Sequence, residues 1–289
     1  MNDYGLVSII LPVYNGASHL HKSINSIMAQ TYTNWELIAV NDCSTDDTLS
    51  ILEKYALKDS RIKIISNPSN LKLPRTLNAG FSISNGQYLT WTSDDNMYKP
   101  EAINTLVNTL HNNPDVDMVY SDYTNIDSHD EEIDIVKLGD PKLLISGNVI
   151  GACFLYTRKI AKIVGTYDSN LFLAEDYDYW IRIYANGKIL HIKDNLYLYR
   201  RHAGSLTETK KEMIQLQTYK MLEKNFMSLY ALALKNKQSN LLFDQILKRA
   251  GAELYSSVKD QLITINHKYK YYLLINKFKT KMKEFLYKY

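Results

Sequence analysis

The stretch LVSIILPVYNG, residues 6–16, runs through eight residues with one polar side chain, Ser8, before breaking into Tyr-Asn-Gly. A strand with one wet face alternates apolar and polar residues. A nearly continuous apolar run of this length belongs to a strand buried on both faces, as in a parallel sheet covered by helices. The polar break then marks the carboxyl end of that strand.

The pattern repeats downstream. A helical stretch over about 18–29 leads to WELIAV (35–40), a second strand, closed by NDCSTDD, where Ser44, Thr45 or Asp46 can cap the next helix. RIKIIS (61–66) reads as a third strand, and PRTLNAGFSIS as a helix with Pro74 in its first turn. QYLTW (87–91) is a fourth strand running into TSDDN, followed by a helix from Pro100, and VDMVYSDY (116–123) is a fifth. Repeated β-α units of this spacing predict an α/β fold with a mostly parallel sheet and helices on both faces. Beyond about Asp127 the pattern loosens. NVIGACFLYT (148–157) reads as a strand, DYDYWIRIYANG as a helix stopped by Gly187, and KILHIKDNLYLYR (188–200) as a strand pair or one long strand. From Thr209 the period is helical, which predicts a domain over 1–208 and a helical C-terminal region over 209–289.

Composition excludes several classes. Of the 289 residues, 45% are hydrophobic and 22% charged, ample for a large core. Two cysteines, Cys43 and Cys153, are too few for a disulfide framework or a thiolate metal site. No signal peptide is read at the N-terminus, and no apolar run reaches the ~18 residues of a spanning helix. The expected location is therefore cytoplasmic. The net charge of +3 is unevenly spread: residues 1–208 carry 18 Lys and Arg against 25 Asp and Glu, and residues 209–289 carry 16 against 6. The acidic part suits a cation and the basic part an anionic surface.

In open α/β sheets ligands lie beyond the carboxyl ends of the strands. YNG, NDCSTD and SDDN each follow a strand, so three strand ends are expected to meet in one crevice. Asp94 and Asp95 there have two readings: charge before a helix N-terminus, or ligands to a divalent ion. Their direct attachment to a buried strand, with Asp42 and Asp46 nearby, favours Mg²⁺ or Mn²⁺. Neither G-x-G-x-x-G nor G-x-x-x-x-G-K-[ST] occurs, which counts against a dinucleotide oxidoreductase and a P-loop enzyme. Arg75 can meet a phosphate or be a solvated helix residue. Glu175, Asp176 and Asp178 in LAEDYDYWIRI either match a helix dipole or include a general base. In YRRHAGSLT (199–207) basic groups leave a strand end toward the crevice, suited to a diphosphate leaving group.

The ordered set of these pieces, spanning residues 7–207, resembles the family 2 glycosyltransferases with the GT-A fold. The resemblance implies a single mixed, mostly parallel sheet flanked by helices and followed by a C-terminal helical extension. It implies inverting transfer of a sugar from a nucleotide donor, UDP by family frequency, to a glycan or lipid-linked acceptor hydroxyl in cell-surface polysaccharide or glycolipid assembly. By the match, Pro12 and Tyr14 line the nucleotide base, Asp42 hydrogen-bonds it and Arg75 lies near the ribose and diphosphate. Asp94 and Asp95 match the acidic metal motif, with Asp94 also on the donor. Asp176 matches the catalytic base, and Arg201 and His202 a segment closing on the diphosphate. Two positions depart: Thr92 stands where the first Asp of the motif often is, and Asn41 where many members have Asp. The alternatives are a sugar nucleotidyltransferase, which would want an Arg-bearing loop after the first strand, and a non-catalytic sugar-nucleotide-binding module.

Residues 259–289 hold eight lysines interleaved with Tyr269, Tyr271, Tyr272, Phe278 and Phe285. This pattern has two readings, a helix lying on the inner face of an anionic membrane or a helical pair packed on the catalytic domain. No nucleic-acid motif accompanies it.

Overall fold

The computed structural model describes residues 4–238. The basic, aromatic segment 259–289 lies outside them. The chain divides into two compact units, with the boundary between Met221 and Leu222.

The first unit is built on one nine-stranded mixed sheet. Its parallel half holds β1 (Val7–Val13), β2 (Trp35–Asn41), β3 (Ile62–Ser66) and β4 (Tyr88–Trp91), in the order β3-β2-β1-β4. The crossovers are α1 (Leu20–Met28), α2 (Thr48–Lys58) and α3 (Leu73–Ser82). β2 is buried along its whole length and β1 everywhere but Pro12, as a continuous apolar run requires. Ile9, Leu11 and Val13 pack in one cluster with Leu20, Ile24, Leu37, Ala39 and Leu52. Each such side chain withdrawn from water contributes about 1.5–3 kcal/mol. α3 approaches β1 through Gly80, where an added Cβ would stand 2.5 Å from Ile10 Cγ2.

The other half mixes directions. The remaining elements are β5 (Met97–Tyr98), α4 (Ala102–Asn112), β6 (Met118–Ile126), β7 (Glu132–Val136), β8 (Phe154–Thr157), α5 (Arg158–Val164), α6 (Glu175–Asn186), β9 (Ile189–Arg200), α7 (Leu206–Thr209) and α8 (Lys211–Lys224). The sheet continues β4-β8-β6-β9-β5, with β7 on β6. β8 runs antiparallel to both neighbours, β9 is parallel to β6, and β5 and β7 are antiparallel additions. Residues 188–200 form one long strand rather than a pair, while the strand read over 148–157 shortens to β8. β7 left no sequence signal because four of its five residues are exposed, so no buried face imposes a period. In the second unit the described residues include α9 (Phe226–Lys235). No described helix is long and apolar enough to cross a membrane.

Candidate active site

The carboxyl ends of β1, β2 and β4 open into a crevice of about 780 Å³. Pro12, Tyr14, Asp42, Asp94 and Asp95 line it from the parallel half. Glu175 and Asp176 at the start of α6, and His202 beyond β9, also line it. Seven of the expected positions therefore meet: Pro12, Tyr14, Asp42, Asp94, Asp95, Asp176 and His202.

Loop chemistry explains how the first two strand ends fit together. Asn15 adopts a left-handed φ of 53° and its Oδ1 accepts from Thr45 N at 2.8 Å, while Asn15 N donates to Ser44 Oγ at 3.0 Å. Asp46 accepts from Ala17 N and Thr48 N, both at 3.1 Å, so this carboxylate is committed to holding the loop. Gly16 lies so close to the acidic pair that an added Cβ would stand 1.8 Å from Asp94 Oδ2. Asn41 Oδ1 accepts from Ser44 N at 3.1 Å, giving this residue a loop-holding role. Asp42 gathers the loop before α3: its Oδ1 accepts from Asn67 Nδ2 and Leu71 N, both at 2.8 Å, and its Oδ2 from Lys72 N at 3.0 Å.

The acidic pair is electrostatically strained. Burial, then the charges of Asp95 and Asp46, push the Asp94 carboxyl up to about 7. Asp95 Oδ2 pairs with His202 Nε2 at 3.0 Å, while Asp95 Oδ1 is buried with no hydrogen-bond partner. Thr92, at the position that departs from the family pattern, is buried and shares a 2.5 Å hydrogen bond with the Tyr197 hydroxyl. It braces the sheet and does not line the crevice.

Of the three acids opening α6, tertiary contacts separate the roles. Asp178 is fully buried and forms a 2.7 Å ion pair with Arg182, which makes it structural. Glu175 Oε2 accepts from Leu173 N at 2.6 Å, and burial followed by the neighbouring Asp176 pushes its carboxyl up to about 8. Asp176 accepts from Asn148 Nδ2 at 2.9 Å and from Tyr177 N at 2.6 Å, and burial raises it too. Glu175 keeps its proton in the folded chain and loses it above the ordinary value of 4.5 when unfolded. Its contribution to stability is therefore complete below about 4.5 and lost as pH rises through about 8. Glu175→Gln is expected to raise Tm at pH 8.5 and leave it unchanged at pH 4.5, checked by calorimetry.

Two expected donor contacts are absent from the crevice. Arg75 is exposed on α3: Thr76 faces the crevice, and the next residue back lies ~100° around the helix, pointing out. Arg201 is exposed and pairs with Glu208 at 2.9 Å. Strand alternation sends the preceding residue inward instead. Arg200 is 1% exposed. Its Nε donates to the Asp95 carbonyl at 2.9 Å, Nη1 to the Asp127 carbonyl at 2.8 Å, and it pairs with Asp130, which Lys22 also contacts. Arg200 N donates to Asn96 Oδ1 at 2.8 Å. Arg200 therefore clamps the backbone of the acidic motif from behind. Removing this buried charge takes the guanidinium from the Asp95 and Asp127 carbonyls and leaves Asp130 to Lys22 alone, so Arg200→Met should cost on the order of 3 kcal/mol in urea unfolding. Sequence reading also missed His19, whose ring centroid lies 5.7 Å from that of His202, and Lys72; both line the crevice. Neither position carried a spacing signal.

Comparison with known proteins agrees with this geometry. The family described as "Glycosyl transferase family 2" matches residues 8–164. An uncharacterized glycosyltransferase of Rickettsia prowazekii is 34% identical over 77% of this chain and 71% of its own length. Glycosyltransferase GlyG of Streptococcus pneumoniae is 29% identical over 72% of this chain and 75% of its own. Among solved structures, S. aureus TarS (1–349) superposes with a TM-score of 0.67 at 17% identity, covering 86% of this chain and 74% of that one. Its complexes with UDP and with UDP-GlcNAc give TM-scores of 0.65 and 0.64. A sheet whose parallel strand ends carry an acidic pair into a crevice shared with a helix-opening carboxylate, matched by the family over more than half its length, places this chain in glycosyl transferase family 2.

Proposed function

We propose that the protein is an inverting, metal-dependent glycosyltransferase that moves a sugar from a nucleoside diphosphate sugar to an acceptor hydroxyl. The observation that carries this reading is the meeting of Asp94, Asp95 and Asp176, from separate elements, in one crevice of about 780 Å³. That volume suits a nucleotide sugar. The ligands in the TarS complexes, UDP and UDP-GlcNAc, support a UDP-sugar donor.

The residues fit a divalent cation. Asp95 Oδ1 is a buried oxygen without a partner, and Asp94 stands beside that carboxylate where burial and then the Asp95 charge disfavour its own charge. Among the described residues no cluster of three or more His, Cys, Asp or Glu is placed to hold a metal. The protein thus offers Asp94 and Asp95, which is how Mg²⁺ or Mn²⁺ is held when waters and substrate phosphates complete its shell. The bound ion would neutralise charge developing on the diphosphate leaving group.

The chain's own groups do the rest. Pro12 and Tyr14 border the nucleotide end, and Asp42 orders the loop beside it. Asp176 takes the proton of the acceptor hydroxyl as that oxygen attacks the anomeric carbon from the face opposite the diphosphate. The Asn148 amide and Tyr177 N–H orient that carboxylate. His202, held by Asp95 through Nε2, lines the crevice beside the acidic pair, on the departing diphosphate's side in this reading. A glycan or lipid-linked acceptor would enter on the α6 side, and cell-surface polysaccharide or glycolipid assembly is the setting this chemistry serves. A cytoplasmic location, at the inner membrane face if 259–289 binds anionic lipid, completes the reading. The test is a panel of sugar nucleotides with Mn²⁺ and with chelator, scored by released nucleoside diphosphate. Release from at least one donor, abolished by chelator, is expected; no release from any donor would sink the proposal.

A further inference from the structure

Lys72 holds a costly backbone conformation at the edge of the crevice. Its φ of 70° and ψ of 161° fall in a region populated essentially by glycine. The loop enforces this from both sides. Lys72 N donates to Asp42 Oδ2 at 3.0 Å and to Asn70 Oδ1 at 3.2 Å. Its carbonyl accepts from Thr76 N at 3.1 Å and from Thr76 Oγ1 at 2.9 Å. Every one of these bonds is made by backbone atoms, so glycine would satisfy them all without the strain. What glycine would not supply is the side chain.

That side chain is exposed and lines the crevice. Lys72 and Lys210 are the only Lys or Arg residues lining it among the described residues, against the five carboxylates Asp42, Asp94, Asp95, Glu175 and Asp176. Lys72 stands at the N-cap of α3, where backbone amides already favour an anion. A nucleoside diphosphate brings negative charge into a crevice that is itself acidic, and a fixed cation on the donor side offsets it. Arg75, three residues further along α3, cannot serve because it faces outward.

We infer that Lys72 is a donor-binding residue that pairs with the phosphate oxygens of the nucleoside diphosphate, its strained backbone aiming the ammonium into the crevice. The inference rests on the proposed donor class. The test is calorimetric titration of the full chain with UDP plus Mn²⁺, and with uridine, for wild type and three variants. Lys72→Met, which keeps the strain and the aliphatic stem, is expected to weaken UDP about 10-fold or more and leave uridine unchanged. Lys72→Arg should stay within about threefold of wild type for UDP, because a cation is retained. Lys72→Gly should lose UDP affinity as Met does while its Tm rises about 2–4 °C, since relief of strain outweighs the added chain freedom. UDP binding by Lys72→Met equal to wild type would overturn the inference. So would an equal loss of uridine, which would assign Lys72 to the base. A wild-type chain that does not bind UDP would instead overturn the donor class on which the inference rests.

Discussion

Asp176→Asn is expected to abolish sugar transfer, lowering kcat by about 10²–10⁴-fold while donor affinity changes little. The carboxylate lines the crevice and has both oxygens oriented, by Asn148 Nδ2 at 2.9 Å and by Tyr177 N at 2.6 Å. An amide of the same shape keeps the packing and loses the lone pair that receives the acceptor proton. The neighbouring acid provides the control. Glu175, raised by burial and then by the neighbouring Asp176, spends its Oε2 on Leu173 N at 2.6 Å, which makes it the poorer base of the two. Glu175→Gln should therefore retain most of the activity that Asp176→Asn loses. Near wild-type turnover by Asp176→Asn, with product formation followed by released nucleoside diphosphate, would remove the base assignment.

Asp94→Asn is expected to remove metal-linked donor binding and lower metal-dependent turnover on the order of 10³-fold. A second readout separates electrostatics from folding failure. Without metal, the Asp94 carboxyl is pushed from an ordinary 3.8 up to about 7, first by burial and then by Asp95 and Asp46. A raised folded value means stability is complete below 3.8 and is lost as pH rises through about 7. The variant should therefore melt higher than wild type at pH 8 without metal, and equally at pH 4. Adding Mn²⁺ should raise Tm for wild type and leave the variant unmoved. Equal stabilisation of both by Mn²⁺ would place the ion elsewhere.

Legibility in the sequence followed the strength of the local physical signal. β1 and β2 announced themselves because burial on both faces forces a run of apolar residues. The turn residues after β1, β2 and β4 marked where those strands end, and so which face of the sheet opens. β7 and the two-residue β5 stayed hidden, being short additions with too little buried surface to impose a pattern. The site was legible except for its arginines, for a related reason. Asp94 and Asp95 follow a strand closely, whereas neither the charge of Arg75 and Arg201 nor their match to a family segment says which way each side chain points.

Sequence alone determined the buried strands and crossover helices of the parallel half of the sheet, the strand ends that form the crevice and the carboxylates available to it. These depend on periodicity and on chain connectivity, both of which are local. Tertiary structure alone decided which charged residue does what. It put Arg200 inside as a clamp and Arg201 outside, gave Asp178 to Arg182, and turned Lys72 into the crevice while Arg75 turned away. Facing is settled by the packing of neighbours distant in sequence, and a charge carries no mark of the neighbour it will meet.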